Sequence, residues 1–157
     1  MKKVRVYLDD VRIPTDGDWV LATNYQEFVD KVNEIGLENI ETISLDHDLG
    51  EGAMIEYYNN VRKNYELNYN NIEEKTGFDA CKFLVNKSLD EGTPLPTVYV
   101  HSANPIGSAN MMGYINNYLM NCHLPQTCIR VNIEHTINED FILTPEARKA
   151  KWDRTTE

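Results

Sequence analysis

Val4-Arg5-Val6-Tyr7-Leu8-Asp9-Asp10 is a hydrophobic run that closes on two acidic residues, and a similar arrangement recurs twice along the chain. Residues 43–45 run into Asp46-His47-Asp48, and residues 98–100 run into His101-Ser102. If the three runs are parallel strands of one sheet, their carboxyl ends lie at the same edge, where open α/β sheets hold their ligands. The sequence therefore predicts that the three polar clusters converge.

The acidic side chains of these clusters predict a metal site. Carboxylates gathered at one edge repel one another in a partly desolvated crevice, so they need a cation or protons to persist there. All-oxygen ligands suit hard ions, which points to Mg²⁺ or Mn²⁺. The predicted metal ligands are Asp9, Asp10, Asp46 and Asp48. The alternative is that Asp9 and Asp10 cap the following turn and that Asp48 is a turn residue.

The composition limits the class of protein. A chain of 157 residues suits one domain, and its net charge of -10 disfavours an extended nucleic-acid surface, because such surfaces rest on Lys and Arg. A small phosphorylated substrate or an RNA end remains a possible partner. Three cysteines without CxxC spacing indicate reduced thiols, and no apolar stretch reaches the roughly 20 residues of a membrane span. We expect a cytoplasmic protein without membrane contact, and the sequence does not indicate its oligomeric state.

Hydrophobic segments and helical stripes alternate along the chain. Five segments are predicted as strands: 4–8, 19–22, 42–45, 97–100 and 128–133. No helix fits between the first two, because Pro14 and Asp16-Gly17-Asp18 mark a loop. The predicted result is a right-handed, doubly wound α/β sandwich, a parallel sheet of about five strands with helices on both faces.

Three helices are predicted from apolar periodicity. The first is capped by Asn24 and ends at Gly36, the second ends at Gly92, and the third begins near Pro105. Their apolar stripes are Phe28, Val32 and Ile35; Phe78, Cys81, Leu84, Val85 and Leu89; and Met111, Tyr114 or Ile115, Tyr118 and Leu119.

The single domain, residues 1–157, is expected to carry two additions. Residues 51–76 are rich in Asn, Tyr and Glu and are interpreted as a polar insertion or mobile lid, with a possible short helix around Met54 to Val61. Residues 138–157 are interpreted as a C-terminal extension with a terminal helix on the surface.

The order of these clusters is similar to that of the receiver domain of two-component signalling. An acidic pair follows the first strand, Asp46 the third and Ser102 the fourth. More narrowly, LDDVRIP (8–14), SLDHDLG (44–50) and HSANPIGSANM (101–111) resemble cyclic-phosphate processing receiver domains over residues 4 to about 133. This resemblance implies a flavodoxin-like or receiver-like fold and a role in handling cyclic phosphates, in RNA repair.

The chain departs from an ordinary receiver in three ways. The helix expected after the first acidic pair is replaced by a loop. The Lys expected at the end of the fifth strand is missing, and Arg130 is the nearest cation. His47 and Asp48 directly follow the presumed acceptor Asp46 and add a proton-transfer group that phosphorylation of an aspartate does not need. These changes favour hydrolysis over signalling.

Candidate catalytic residues are Asp46, His47 and His101. A histidine that titrates near neutrality can protonate a leaving alkoxide, although an ordinary hydrogen-bonded histidine is the alternative at both positions. His123 and His135 lie outside the motifs and are given no role.

Candidate phosphate-binding residues are of two kinds. Arg12 offers a bidentate donor, or else pairs with the neighbouring aspartates. A small-residue turn that runs into a helix can direct backbone N–H groups at an anion, and the alternative is a capped helix and nothing more. The residues of this turn are Ser102, Asn104, Gly107 and Asn110.

The functional hypothesis is a metal-dependent phosphoesterase that opens the 2′,3′-cyclic phosphate of a nucleotide or RNA end. Asp9, Asp10 and Asp46 hold the cation, and His47 or His101 protonates the leaving ribose oxygen. The alternatives are a receiver-like phosphoacceptor at Asp46, or a noncatalytic metal- or nucleotide-binding signalling module.

Overall fold

The computed structural model describes residues 2–138, and within them six strands form two sheets. The strands are β1 (Val4–Leu8), β2 (Arg12–Pro14), β3 (Trp19–Ala22), β4 (Ile40–Leu45), β5 (Thr97–Val100) and β6 (His135–Ile137). The larger sheet is parallel, in the order β3-β1-β4-β5, and the smaller sheet pairs β2 with β6 in antiparallel fashion. The parallel sheet with surrounding helices confirms the predicted α/β class.

In the part of the chain that the structure describes, five α-helices accompany the strands. They are α1 (Tyr25–Ile35), α2 (Glu51–Glu56), α3 (Arg62–Asn64), α4 (Gly77–Glu91) and α5 (Pro105–Asn121). One turn of π-helix (Tyr57–Val61) joins α2 to α3, and short 3₁₀ turns cover Leu37–Asn39 and Tyr69–Asn71. Helix α4 packs against both α1 and α5. No helix of residues 2–138 combines the length and the apolar character that a bilayer crossing requires.

Strand register sorts the side chains of the parallel sheet into two layers. Val6, Ile43 and Val98 align across three strands, and all three belong to the main hydrophobic core. The adjacent row, Tyr7 and Ser44, lies on the opposite face because side chains alternate along a strand. That second row supports His101, as described below. The pleat therefore separates an apolar layer from a layer that includes polar groups of the candidate site.

The sequence-based boundaries agree with the structure for most elements. Helix α1 has Asn24 as its N-cap and Gly36 as its C-cap, and α4 ends at Gly92. The predicted inward position of Leu89 is wrong, since that side chain is 62% exposed. Ser88 takes the inner position instead, where its hydroxyl donates to the Thr93 carbonyl and lies 2.8 Å from the Tyr118 hydroxyl.

The predicted fifth strand is reduced to a single parallel bridge between Val100 and Arg130. Two backbone hydrogen bonds make it, from Val100 N to Ile129 O at 3.0 Å and from Val131 N to Val100 O at 2.8 Å. Beyond the bridge the chain leaves the parallel sheet, because residues 135–137 pair with β2.

The segment 51–76 is more ordered than a plain loop. The helix predicted around Met54 to Val61 is present as α2 and the following π turn, which bury Met54 and Val61. The buried carboxylate of Glu56 accepts hydrogen bonds from Asn60 and Asn71 side chains and from the Asn68 N–H. The interpretation of residues 51–76 as a mobile lid stays a prediction. The surface helix predicted for the C-terminal extension lies outside the described residues.

The N-cap of α1 gives a first test of the fold. Asn24 Oδ1 accepts the Glu27 N–H at 2.8 Å, so Asn24→Ala should lower the free energy of unfolding by about 1 kcal/mol. Asn33→Ala, at an exposed position in the same helix, is the matched control and should raise it slightly. Urea denaturation measures both. Equal effects of the two variants would show that the cap contributes nothing.

Candidate metal and phosphate site

Three buried carboxylates meet at the carboxyl ends of β1 and β4. One carboxylate oxygen from each of Asp9, Asp10 and Asp46 lies within 4.8 Å of the others. Backbone hydrogen bonds fix the strand ends, from Asp9 N to Ala22 O at 3.0 Å and from Asp46 N to Leu8 O at 2.9 Å. The structure thus brings together three of the four predicted metal ligands, which we call the acidic trio.

Arg12 lies between two members of the trio. Its Nε donates to Asp9 Oδ2 at 2.7 Å, and its NH2 nitrogen lies 3.0 Å from Asp46 Oδ1. Burial opposes the charge of Arg12, yet the two carboxylates raise the pKa of its guanidinium above the ordinary value. Of the two roles open to Arg12, the structure has the ion pair with the neighbouring aspartates. Three carboxylates and one guanidinium leave a formal charge of -2.

His101 occupies the wall beside the trio. Its Nε2 lies 3.1 Å from Asp9 Oδ2 and its Nδ1 lies 2.7 Å from Ser44 Oγ. The ring stacks on Tyr7 with a centroid distance of 4.3 Å and an interplanar angle of 4°. Burial lowers the pKa of His101, against the opposing effect of the hydrogen bond to Asp9. Because a carboxylate only accepts, Nε2 carries a hydrogen, and the ring orientation is fixed on three sides.

The side chains of His47 and Asp48 belong to a second group, which adjoins the trio through the hydrogen bond from His47 N to Asp46 Oδ1 at 2.9 Å. His47 Nδ1 donates to Asp48 Oδ1 at 2.6 Å, and the same oxygen accepts from Asn104 Nδ2 at 3.2 Å. His47 Nε2 lies 3.0 Å from the Tyr69 hydroxyl, which also accepts from Asn110 Nδ2 at 3.2 Å. The predicted ligand Asp48 is thus used to orient a histidine. Both His47 and Asp48 are fully buried.

The start of α5 is a capped helix. Asn104 Oδ1 accepts the Gly107 N–H at 3.0 Å, and the Asn104 carbonyl accepts the Ser108 N–H at 2.9 Å. Ser102 Oγ accepts the Asn104 N–H at 3.1 Å. Two of the first donors of the helix are therefore used internally. Ser102 is the one of the four turn residues that lines the cleft described next, whereas Asn104, Gly107 and Asn110 contact the His47 group.

A cleft of about 800 Å³ opens beside His101 and Arg12. The other residues that line the cleft come from the sheet, from the turn after β5 and from the segment 130–135: Tyr7, Ser102, Ala103, Arg130, Asn132, Ile133, Glu134 and His135. The sequence patterns gave His135 no role and did not indicate where the side chain of Arg130 points. The signal for both is topological, since only the bridge to Val100 and the pairing of β6 with β2 place this segment against the site.

The donor set of the trio fits a hard divalent cation. Mg²⁺ and Mn²⁺ take carboxylate oxygens, and the formal charge of -2 equals the charge that one such ion would neutralise. Asp9 Oδ1 already accepts the N–H groups of Val11 and Arg12, which holds its carboxylate in place without a metal.

Comparison with models of protein families identifies a family that this chain matches. The family model of the cyclic-phosphate processing receiver domain matches residues 4–117, well over half of the chain. No curated protein and no solved structure matches significantly. The region that matches includes the acidic trio, both histidine groups and the start of α5, whereas the segment with Arg130 and His135 lies beyond it.

Two glycines of α5 test how closely this helix packs on the His47 group. A Cβ at Gly107 would lie 2.6 Å from Cδ2 and 2.7 Å from Nδ1 of the His47 ring, which hydrogen bonds hold in place. Gly107→Ala should therefore lower the free energy of unfolding by about 1–3 kcal/mol. A Cβ at Gly113 would have no heavy atom of another residue within 4 Å. Gly113→Ala should therefore raise the free energy of unfolding by up to about 1 kcal/mol.

Thermal and urea unfolding of the two variants measure this contrast. The same substitution in the same helix controls for helix propensity, so the difference isolates the contact with His47. A Gly107→Ala protein as stable as Gly113→Ala would contradict the tight packing of α5 on His47.

Proposed function

The chain belongs to the cyclic-phosphate processing receiver family, and from this premise we propose that it is a metal-dependent phosphoesterase that opens 2′,3′-cyclic phosphates in RNA repair. The substrate is the cyclic phosphate of a nucleotide or RNA end, and the product is a ring-opened monophosphate. The observation that carries the proposal is the convergence of the acidic trio with His101 beside an open cleft.

The metal is the first element of the proposal. Asp9, Asp10 and Asp46 would hold one Mg²⁺ or Mn²⁺, for which their charge and oxygen ligands are suited. A bound divalent ion supplies Lewis-acid stabilisation of phosphoryl oxygens and lowers the pKa of a coordinated water. Arg12 keeps the carboxylates of Asp9 and Asp46 in position through its two ion pairs.

The proton-transfer group is the second element, and the geometry favours His101 over His47. His101 lines the cleft, whereas His47 is fully buried and is not among the residues that line it. Ser44 and Asp9 hold the His101 ring, which limits the reorganisation needed during the reaction. Ser102 lies at the same wall, where it would orient the phosphate.

The reaction is a hydrolysis. A bond forms between water oxygen and phosphorus, one of the two phosphorus–ribose oxygen bonds breaks, and the released ribose oxygen takes a proton from the imidazolium form of His101. The proton that the attacking water loses returns through solvent to the neutral ring and restores the imidazolium. No other reactant is needed for the atoms and charges to balance.

A metal titration tests the first element. Mg²⁺ or Mn²⁺ should raise the thermal midpoint of the wild-type protein, because an ion that binds only the folded state stabilises it by mass action, by about 2.7 kcal/mol at a hundred times Kd. Asp46→Asn should abolish or blunt the rise. Asp48→Asn is the matched control and should keep it, since Asp48 lies in the other hydrogen-bonded group. Absence of any shift in the wild type at millimolar metal would overturn the metal site.

Turnover tests the second element. Wild-type protein with Mg²⁺ or Mn²⁺ should convert adenosine 2′,3′-cyclic phosphate to a monophosphate, detected by chromatography. His101→Asn should lower kcat by about 10²–10⁴-fold and should keep the metal-dependent thermal shift. His123→Asn is the matched control at an exposed position with φ of 58°, which Asn tolerates, and should leave kcat unchanged.

Two results would contradict the hydrolase. One is the absence of turnover in wild-type protein that binds metal. The other is a stable phosphoryl group on Asp46 after incubation with a small acyl-phosphate donor, which would identify a receiver-like phosphoacceptor.

A further inference from the structure

The outer wall of the cleft is built by a segment that lies beyond the family match. Residues 129–131 bridge to Val100, and residues 135–137 pair with β2. Two backbone hydrogen bonds hold the Arg130 peptide beside the end of β5, and Thr15 N donates to Glu134 O at 2.9 Å. Both ends of the segment are thus tied to the site, so we treat residues 130–135 as a fixed wall.

Arg130 and Arg12 differ as cations for an anionic substrate. Arg12 is 7% exposed and is engaged by Asp9 and Asp46, so its charge is already compensated. Arg130 is exposed and lines the same cleft, and within residues 2–138 its guanidinium makes no hydrogen bond or ion pair. A guanidinium that has no acidic partner among residues 2–138, and that lies on a fixed wall, suits bidentate binding of a phosphate.

The size of the cleft exceeds what a cyclic phosphate alone requires. Its volume of about 800 Å³ lies in the upper part of the range for ligand pockets, about 300–1,000 Å³, which accommodates at least one nucleoside unit with its phosphate. In the proposed function, an ion held by the acidic trio beside the cleft would account for one phosphate. Arg130, which also lines the cleft, is then available for a different one.

We propose, on the basis of the proposed function, that Arg130 binds the internucleotide phosphate next to the cyclic end, so that the preferred substrate is an RNA end rather than a mononucleotide. Glu134 also lines the wall and repels phosphate, which restricts the second phosphate to the Arg130 side. The net charge of -10 disfavours contacts further along the RNA. Recognition is therefore limited to the last two nucleotides.

Binding of stable product-like probes provides the test, and it needs no turnover. The probes are adenosine 3′-monophosphate, with one phosphate, and the dinucleotide ApA with a 3′-phosphate, which adds the internucleotide phosphate. Wild-type protein should bind the dinucleotide more tightly. Arg130→Gln should weaken dinucleotide binding about tenfold, the loss expected for one charge-assisted hydrogen bond, and should leave the mononucleotide nearly unchanged.

Two further variants sharpen the test. Arg130→Lys keeps the charge and should recover part of the dinucleotide affinity. Lys63→Gln makes the same charge change at an exposed position outside the cleft and should have no effect on either probe. Raising the salt concentration should reduce the difference in dinucleotide affinity between the wild type and Arg130→Gln, because salt screens the charge of Arg130.

Each outcome decides the proposal. Equal losses for both probes would place Arg130 on the terminal phosphate and overturn it, and so would unchanged binding of both. Turnover of the matching cyclic substrates is measured separately. If dinucleotide binding depends on Arg130 but no turnover occurs, the proposed hydrolase activity is rejected and the proposed contact with the second phosphate is retained. If turnover occurs but dinucleotide binding does not depend on Arg130, the proposed hydrolase activity is retained and the proposed contact is rejected.

Discussion

The buried ion pairs of Arg12 with Asp9 and Asp46 are the interaction on which the site depends. Arg12 follows Asp9 by three residues, and the short loop between them allows Asp9 Oδ1 to accept two backbone N–H groups while Oδ2 faces the guanidinium. Uncompensated carboxylates in a buried position are costly, and removing one partner of such a pair typically destabilises a protein by about 3–5 kcal/mol. Arg12 therefore makes the acidic trio tolerable before any metal binds. It leaves a residual charge that a divalent ion can cancel.

The three residues that follow β4 contact two different groups of side chains. Asp46 faces Arg12 and the trio, whereas His47 and Asp48 face the start of α5 and Tyr69. Gly77 supports this division, because its N–H donates to the His47 carbonyl and a Cβ there would lie 2.7 Å from the Met111 side chain. Helices α4 and α5 thus approach the strand end closely enough to bury the second histidine group. His101 remains at the cleft, so two histidines that look equivalent in sequence differ in access.

Sequence patterns predicted the elements that depend on local chemistry. The caps at Asn24, Gly36 and Gly92 and the strand at 19–22 follow from residue preferences and apolar periodicity. The convergence of Asp9, Asp10 and Asp46 follows from the parallel sheet. Two features depend on tertiary partners and were not available to such reasoning. Asp48 accepts a hydrogen bond from Asn104, 56 residues away, and Ser88 contacts Tyr118 while Leu89 is exposed.

The location of Arg130 shows why fold class alone does not define this cleft. An ordinary fifth strand would carry several ladder hydrogen bonds and would end at the sheet edge, whereas here one bridge at Arg130 is followed by a crossing to β2. The strand β2 begins at Arg12, so the same short ladder that orders the outer wall also holds the residue that compensates the acidic trio. Residues near the two ends of the described chain are coupled in this way. We therefore expect a displacement of the wall to disturb the register of Arg12, which links the shape of the cleft to the electrostatics of the predicted metal site.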